Sequence, residues 1–322
     1  MTSAPPPMLD VPASQAPATS ITATTSTPAG LRWAKGHGTE NDFVVLPDPE
    51  GRLELDAATV AALCDRRAGI GGDGILHLVR SPGGDARRWF MDYRNADGSL
   101  AEMCGNGIRV FVHYLVQAGL LELADGQSVA VDTRAGVKTV RREGEQYAVD
   151  LGRWRIEGGA AAAEAGSDRT VQAHGSTLAQ AGLSVNVGNP HVVVAVPDVA
   201  TLHAIDLSRA PALDPVAPEG ANVEFVVPGH GVDRDAAGRP LGHLVMRVHE
   251  RGSGETRSCG TGAVAAVLAA RVWAGPGAPD EWTVDVPGGR LLVRLPPGSP
   301  LVGEHAELVG PARIVAEGTL LG

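Results

Sequence analysis

The chain has 322 residues, 43% of them hydrophobic, with a formal net charge of −10 and a pI near 5.5. That much apolar material supports a sizeable core, and the length fits two domains. The acidic balance, with lysine only at Lys35 and Lys138, excludes a nucleic-acid partner, since phosphate backbones need clustered Lys and Arg; the longest apolar run, Ala263 to Ala270, is far short of the roughly 20 residues that span a bilayer, so no membrane span is expected.

Residues 1–30 are rich in Pro, Ala, Ser and Thr and carry neither Lys nor Arg, which reads as a disordered tail, not a signal peptide. With no export signal, and three cysteines that cannot all pair, reduced thiols in the cytoplasm are expected. Residues 31–150 form the expected N-terminal half, with strands over 43–46, 75–80, 88–93, 128–133 and 147–151 and helices over 57–67 and 106–120. Residues 151–307 form the C-terminal half. It opens with an Ala- and Gly-rich loop insertion near 157–182, then strands over 183–187, 192–196, 222–227 and 243–249, and helices over 201–208 and 261–273. Of the closing strands, 283–286, 290–295 and 313–317, the segment 308–322 is a candidate to return to the first half. The fold class is α+β: two pseudo-symmetric α/β halves, each a mixed sheet or open barrel wrapped on one long apolar helix, with the site in the cleft between them.

Within that order two cysteines share a setting. Cys104-Gly105-Asn106-Gly107 and Cys259-Gly260-Thr261-Gly262 each open an apolar helix. Asn-bearing turns, Gly38-Thr39-Glu40-Asn41 and Val187-Gly188-Asn189, lie upstream of each at similar offsets, which suggests a degenerate repeat. The first N–H groups of a helix lack internal partners and carry the positive end of the macrodipole, so they stabilise a thiolate or a bound carboxylate. Both thiols are therefore expected to have a lowered pKa. Cys64, inside an apolar helical run, reads as inert core.

Other chemistries fail on context. Gly69-Ile70-Gly71-Gly72-Asp73-Gly74 satisfies the dinucleotide fingerprint literally, but a helix precedes it and a strand follows, the reverse of what pyrophosphate binding needs. No C-x-x-C or H-E-x-x-H spacing suggests a metal, no G-x-S-x-G elbow is present, and neither lysine has the setting of a pyridoxal phosphate Schiff base. No metal or cofactor is expected. Inverting a carbon centre needs a base on one face and an acid on the other, which two opposed thiols supply. The backbone N–H groups of Gly105, Asn106, Gly260 and Thr261 would stabilise charge pushed into the substrate carboxylate.

At these residues the chain resembles the diaminopimelate epimerase family of cofactor-independent two-cysteine epimerases. The resemblance also takes in Asn95-Ala96-Asp97-Gly98-Ser99, Gly188-Asn189-Pro190-His191, Asn222-Val223 and Glu250-Arg251-Gly252-Ser253-Gly254-Glu255-Thr256. It implies interconversion of LL- and meso-diaminopimelate in lysine and peptidoglycan-precursor synthesis, with a small-molecule substrate as partner and a homodimer as a candidate assembly. By resemblance Cys104 and Cys259 are the acid/base pair, donor and acceptor respectively in the LL to meso direction, and His191 and Glu250 tune them. Asn41, Asn95, Asn189, Asn222, Glu250 and Arg251 hold the substrate, Arg251 at the distal carboxylate. Gly74 stands where some members carry Gln, and Thr261 where Ser is frequent. The rival readings are a proline racemase-like epimerase, against which Asn106 and Arg251 argue, and a non-enzymatic thiol redox sensor, which leaves the Asn and Arg set without purpose.

Overall fold

The computed structural model describes residues 30–81, 88–229, 233–234, 237–298 and 301–321; the tail expected over 1–30 falls, but for Gly30, outside them. The first run of elements is β1 (Arg32–Gly38), β2 (Asn41–Pro47), α1 (Ala57–Cys64), β3 (Gly74–Arg80), β4 (Trp89–Asn95), α2 (Gly105–Gln117), β5 (Ser128–Thr133), β6 (Gly136–Glu143) and β7 (Gln146–Asp150). Then come β8 (Trp154–Ile156), α3 (Gly159–Ala165) and β9 (Arg169–Gln172). The second run is β10 (Gln180–Asn186), β11 (Pro190–Ala195), α4 (Val199–Ala204), β12 (Ala212–Asp214), β13 (Asn222–Pro228), β14 (Asp233–Arg234), β15 (Pro240–Glu250), β16 (Gly254–Thr256) and α5 (Gly260–Ala274). It closes with β17 (Glu281–Val286), β18 (Gly289–Arg294), β19 (Val302–Gly303), β20 (Glu307–Pro311) and β21 (Arg313–Thr319).

Strand pairing reveals the duplication. From β1 through β7 successive strands pair antiparallel, parallel, antiparallel, parallel, antiparallel and antiparallel. The series β10, β11, β13, β15, β17, β18, β20 repeats that order of senses. Parallel neighbours need a crossover, and the four parallel joints are spanned by α1, α2, α4 and α5. β7 pairs with β20 and joins the two series. The strand after each series is exchanged: β8 pairs with β10 and β21 with β1. The architecture is α+β, two alike mixed sheets each wrapped on one apolar helix.

Those helices are the core. α2 packs on β1, β2, β7 and β21, and α5 on β10, β11, β13 and β15. Every residue from Ala263 to Ala270 is buried, as a helix apolar all round must be. No helix among the described residues is long and apolar enough to cross a membrane.

Several expectations shift. The helix expected over 57–67 ends at Cys64 because Asp65 turns extended and its carboxylate accepts the N–H groups of Arg67 and Ala68 at 2.7 and 2.6 Å. The stretch near 157–182 is not an irregular loop: its alanines form α3, closed by Gly166 in the left-handed region (φ 71), and β9 pairs with β10. Alanine's helix propensity explains α3. Of the closing strands, β21 pairs with β1, whereas β17 stays on β15. β1 shows no sequence pattern because Gly36 stands where a side chain would belong; a Cβ there would lie 2.8 Å from Val110 Cγ1.

Candidate active site

The β1–β2 hairpin turns through Thr39 and Glu40, both left-handed (φ 50 and 61), as a tight hairpin requires. A β-branched residue seldom adopts that backbone. Thr39 is held there by docking: its hydroxyl lies 2.6 Å from Ser258 Oγ, and Gly288 leaves it room, since a Cβ there would fall 1.8 Å from Thr39 O. The hairpin thereby carries Asn41 to the start of α2. Asn41 Oδ1 accepts from Asn106 Nδ2 at 3.2 Å and lies 3.7 Å from Cys104 Sγ, and Asn41 Nδ2 donates to Asp73 Oδ2 at 2.7 Å.

Cys104 and Cys259 are the N-cap residues of α2 and α5, each sulfur accepting the N–H of the glycine three residues on, Gly107 or Gly262, at 3.3 Å. The two first turns abut. A Cβ added to Gly260 would lie 3.5 Å from Gly105 Cα, and one on Gly105 3.9 Å from Gly260 Cα. Glycine at both positions lets two backbones approach, so the positive ends of two helices converge on one place.

Convergence does not lower the thiols. Burial pushes Cys104 up to about 11; the Gly107 N–H opposes this and the Glu250 charge adds to it. Cys259 is raised well above the ordinary thiol range, by burial first and then by Glu250 and Glu224. The lowered pKa expected from the helix ends is thus overturned, because loss of water outweighs the N–H bonds at each sulfur. Glu250 is itself raised to about 7, chiefly by burial, against a hydrogen bond from the Thr256 hydroxyl.

On the α5 side Asn189 Oδ1 lies 2.9 Å from His191 Nε2, and Asn189 Nδ2 3.5 Å from Thr261 Oγ1. Thr261 Oγ1 lies 3.6 Å from Cys259 Sγ. Asn222 Oδ1 accepts the Arg251 backbone N–H at 2.8 Å. The Arg251 guanidinium donates to Glu219 O at 2.9 Å, and among the described residues it pairs with no carboxylate. Asn95 lies opposite Gly74 in the β3–β4 pair, beside the Asp73 to which Asn41 donates, and its Nδ2 is bonded to Ser99 Oγ at 3.0 Å within its own turn. Asn106 is fully buried and its side chain is used internally, Nδ2 also donating to Ser258 O at 3.1 Å and Oδ1 accepting from Arg109 Nη2 at 2.9 Å. It offers a ligand its backbone N–H alone.

Two participants escaped the sequence reading. Arg109 is wholly buried on α2, and among the described residues its acceptors are carbonyl and amide oxygens only. Glu224 is wholly buried on β13, 2.7 Å from His191 Nδ1. The signal was present in each case: a charge inside an apolar run, Ile108-Arg109-Val110 and Val223-Glu224-Phe225.

With this geometry in view, comparison with known proteins is decisive. The family profile for diaminopimelate epimerase matches residues 33–156 and 183–302. The chain belongs to the diaminopimelate epimerase family. Members of that family from Streptomyces coelicolor and Thermobifida fusca are 48% and 50% identical to it, each alignment covering 89% of this chain and 94% and 97% of theirs. Solved structures show the same fold at lower identity. A PhzF-family phenazine biosynthesis protein from Bacillus anthracis matches at TM-score 0.64 and 16% identity, covering 91% of this chain and 100% of that one. A hydroxyproline epimerase from Agrobacterium vitis matches at 0.56 and 15%, covering 91% of each.

Proposed function

We propose that this protein is an isomerase that interconverts LL- and meso-2,6-diaminopimelate by two-base proton transfer between Cys104 and Cys259, in lysine and peptidoglycan-precursor synthesis. The observation that carries the mechanism is the pair of cysteine-capped helices whose first turns abut through Gly105 and Gly260. A substrate carboxylate at that junction meets unpaired N–H groups of both helices, and charge developing there as the α-proton leaves is stabilised. The α-carbon then lies between the sulfurs, one taking the proton from one face while the other delivers a proton to the opposite face.

The raised thiol pKa values fit this scheme. Diaminopimelate brings an ammonium group next to its α-carbon, and a cation beside a buried sulfur favours the thiolate. The base is thus readied by its own substrate. Cys104 donates and Cys259 accepts in the LL to meso direction, with roles exchanged in reverse. His191 and Glu250 control the charge around Cys259. Asn41, Asn95, Asn189 and Asn222, with Glu250, hold the substrate's polar groups, and the guanidinium of Arg251, which meets no carboxylate among the described residues, takes the distal carboxylate.

Incubation of the reduced, pyridoxal-free protein with LL-diaminopimelate in D₂O tests the reading. Meso product carrying α-deuterium is the expected NMR result, and Cys104→Ala and Cys259→Ala each abolish epimerisation. An active Cys259→Ala protein would sink the two-thiol mechanism. Absence of both product and exchange would point to another substrate or to the redox reading.

A further inference from the structure

The carboxyl group of Glu224 lies against the first turn of α5, where a Cβ on Gly262 would fall 2.6 Å from Oε1. That oxygen is 2.7 Å from His191 Nδ1, while Oε2 is buried with no hydrogen-bond partner among the described residues. An ionised carboxylate left half unsatisfied away from water is costly, whereas a neutral carboxyl tolerates a free carbonyl oxygen far better.

The direction of the surrounding bonds is fixed from outside. The Arg251 backbone N–H can only donate, and it donates to Asn222 Oδ1 at 2.8 Å. The amide nitrogen of Asn222 is then the end facing His191 Nδ1, at 3.4 Å, which makes Nδ1 an acceptor. Two bare acceptors do not approach to 2.7 Å, so the hydrogen between Nδ1 and Oε1 belongs to Glu224. His191 carries its own hydrogen on Nε2 and donates to Asn189 Oδ1 at 2.9 Å. Asn189 Nδ2 donates to Thr261 Oγ1 at 3.5 Å, and the Thr261 hydroxyl is left to donate to Cys259 Sγ at 3.6 Å.

We propose that Glu224 is an un-ionised carboxyl heading a one-way chain of donors, through His191, Asn189 and Thr261, that ends on the Cys259 sulfur and makes it the readier thiolate. This positioning role rests on the two-thiol reading. At Cys104 the polarity is reversed: Arg109 can only donate, so Asn106 Oδ1 accepts, Asn106 Nδ2 donates to Asn41 Oδ1, and an acceptor is left 3.7 Å from Cys104 Sγ. An acceptor suits S–H. The titratable groups around Cys259 are Glu224 on β13, Glu250 on β15 and Tyr93 on β4, with Cys104 capping the abutting helix. A neutral Glu224 removes one of the two carboxylate charges that, after burial, push Cys259 up.

The test is the pH dependence of iodoacetamide alkylation of each cysteine in substrate-free, reduced protein, resolved by peptide mass for Glu224→Met and Glu224→Gln. Methionine cannot donate, and the Cys259 profile is expected to move up by about one pH unit, a roughly tenfold slower reaction near neutrality, with Cys104 unmoved. Glutamine keeps a donor toward Nδ1 without being able to ionise, and is expected to restore the wild-type profile. A Cys259 profile unchanged in Glu224→Met, or shifted in Glu224→Gln as in Glu224→Met, overturns the proposal. Should the methionine variant not fold, infrared spectra decide: a carboxyl C=O band in the wild type near neutral pH that Glu224→Gln removes and Glu250→Gln leaves in place supports it, and no such loss in Glu224→Gln overturns it. Epimerisation by Cys259→Ala would remove the two-thiol reading instead, and leave the alkylation result standing.

Discussion

Glu250 couples the site to the stability of the fold. Its carboxyl is raised from 4.5 to about 7, mainly by burial, so the folded protein holds this proton more tightly than the unfolded chain does. Its contribution to stability is therefore intact below about 4.5 and declines as pH rises toward about 7. Urea unfolding midpoints at about pH 5 and about pH 8 are expected to differ less in Glu250→Gln than in the wild type, because glutamine has no proton to lose. An identical pH response in both proteins would contradict the assignment. At this scale the cysteine pair was legible in the sequence, because a thiol followed by two glycines at a helix start is unusual twice over. The direction of the thiol shifts was not. A helix end is a local feature that sequence shows, whereas desolvation depends on everything packed around the sulfur.

The approach of α2 to α5 rests on glycines that sequence shows only as flexible residues. Gly260 is the tighter position: a Cβ there would meet Leu308 Cδ2 at 2.8 Å and Gly105 Cα at 3.5 Å, whereas one on Gly105 would meet Leu308 Cδ2 at 3.1 Å and Gly260 Cα at 3.9 Å. Gly260→Ala is expected to cost about 1–3 kcal/mol and to depress turnover by separating the two caps, and Gly105→Ala to do less of both. Thermal unfolding and epimerase assays give the ranking, and the opposite order would show that the junction is not set by this contact. α2 and α5 were themselves readable from unbroken apolar runs. β1 and β6 were not, since the first holds glycines at the helix contact and the second alternates with exposed charges.

For the whole molecule, the abutting caps make oxidation a hazard. Treatment with diamide is expected to join Cys104 to Cys259, each thiol losing a proton and an electron to the reagent, and to abolish epimerisation; dithiothreitol restores it. Cys64 stands outside this pair, buried at the end of α1 in a different apolar cluster from the one that holds Cys104 and Cys259. Persistent activity in a sample shown by mass to be fully oxidised would contradict the facing arrangement. The exchange of β8 and β21 between the two strand series binds the halves beyond the β7–β20 join. No repeat in the sequence announces that exchange, because those strands are short or exposed and carry little apolar pattern.

The amino-acid sequence by itself determined the family and the plan: two cysteine-capped apolar helices, two Asn-bearing turns, α+β halves in tandem, and residues that match one family in order. These are local signals, set by caps, periodicity and turn residues. Tertiary structure alone decided how the halves share strands, that burial raises both thiols, that Asn106 is consumed internally, and that Glu224 and Arg109 stand behind the site. Those outcomes depend on water excluded and on partners brought together from far apart in the chain, such as Asn106 with Ser258 and Glu224 with His191, which no window along the chain contains.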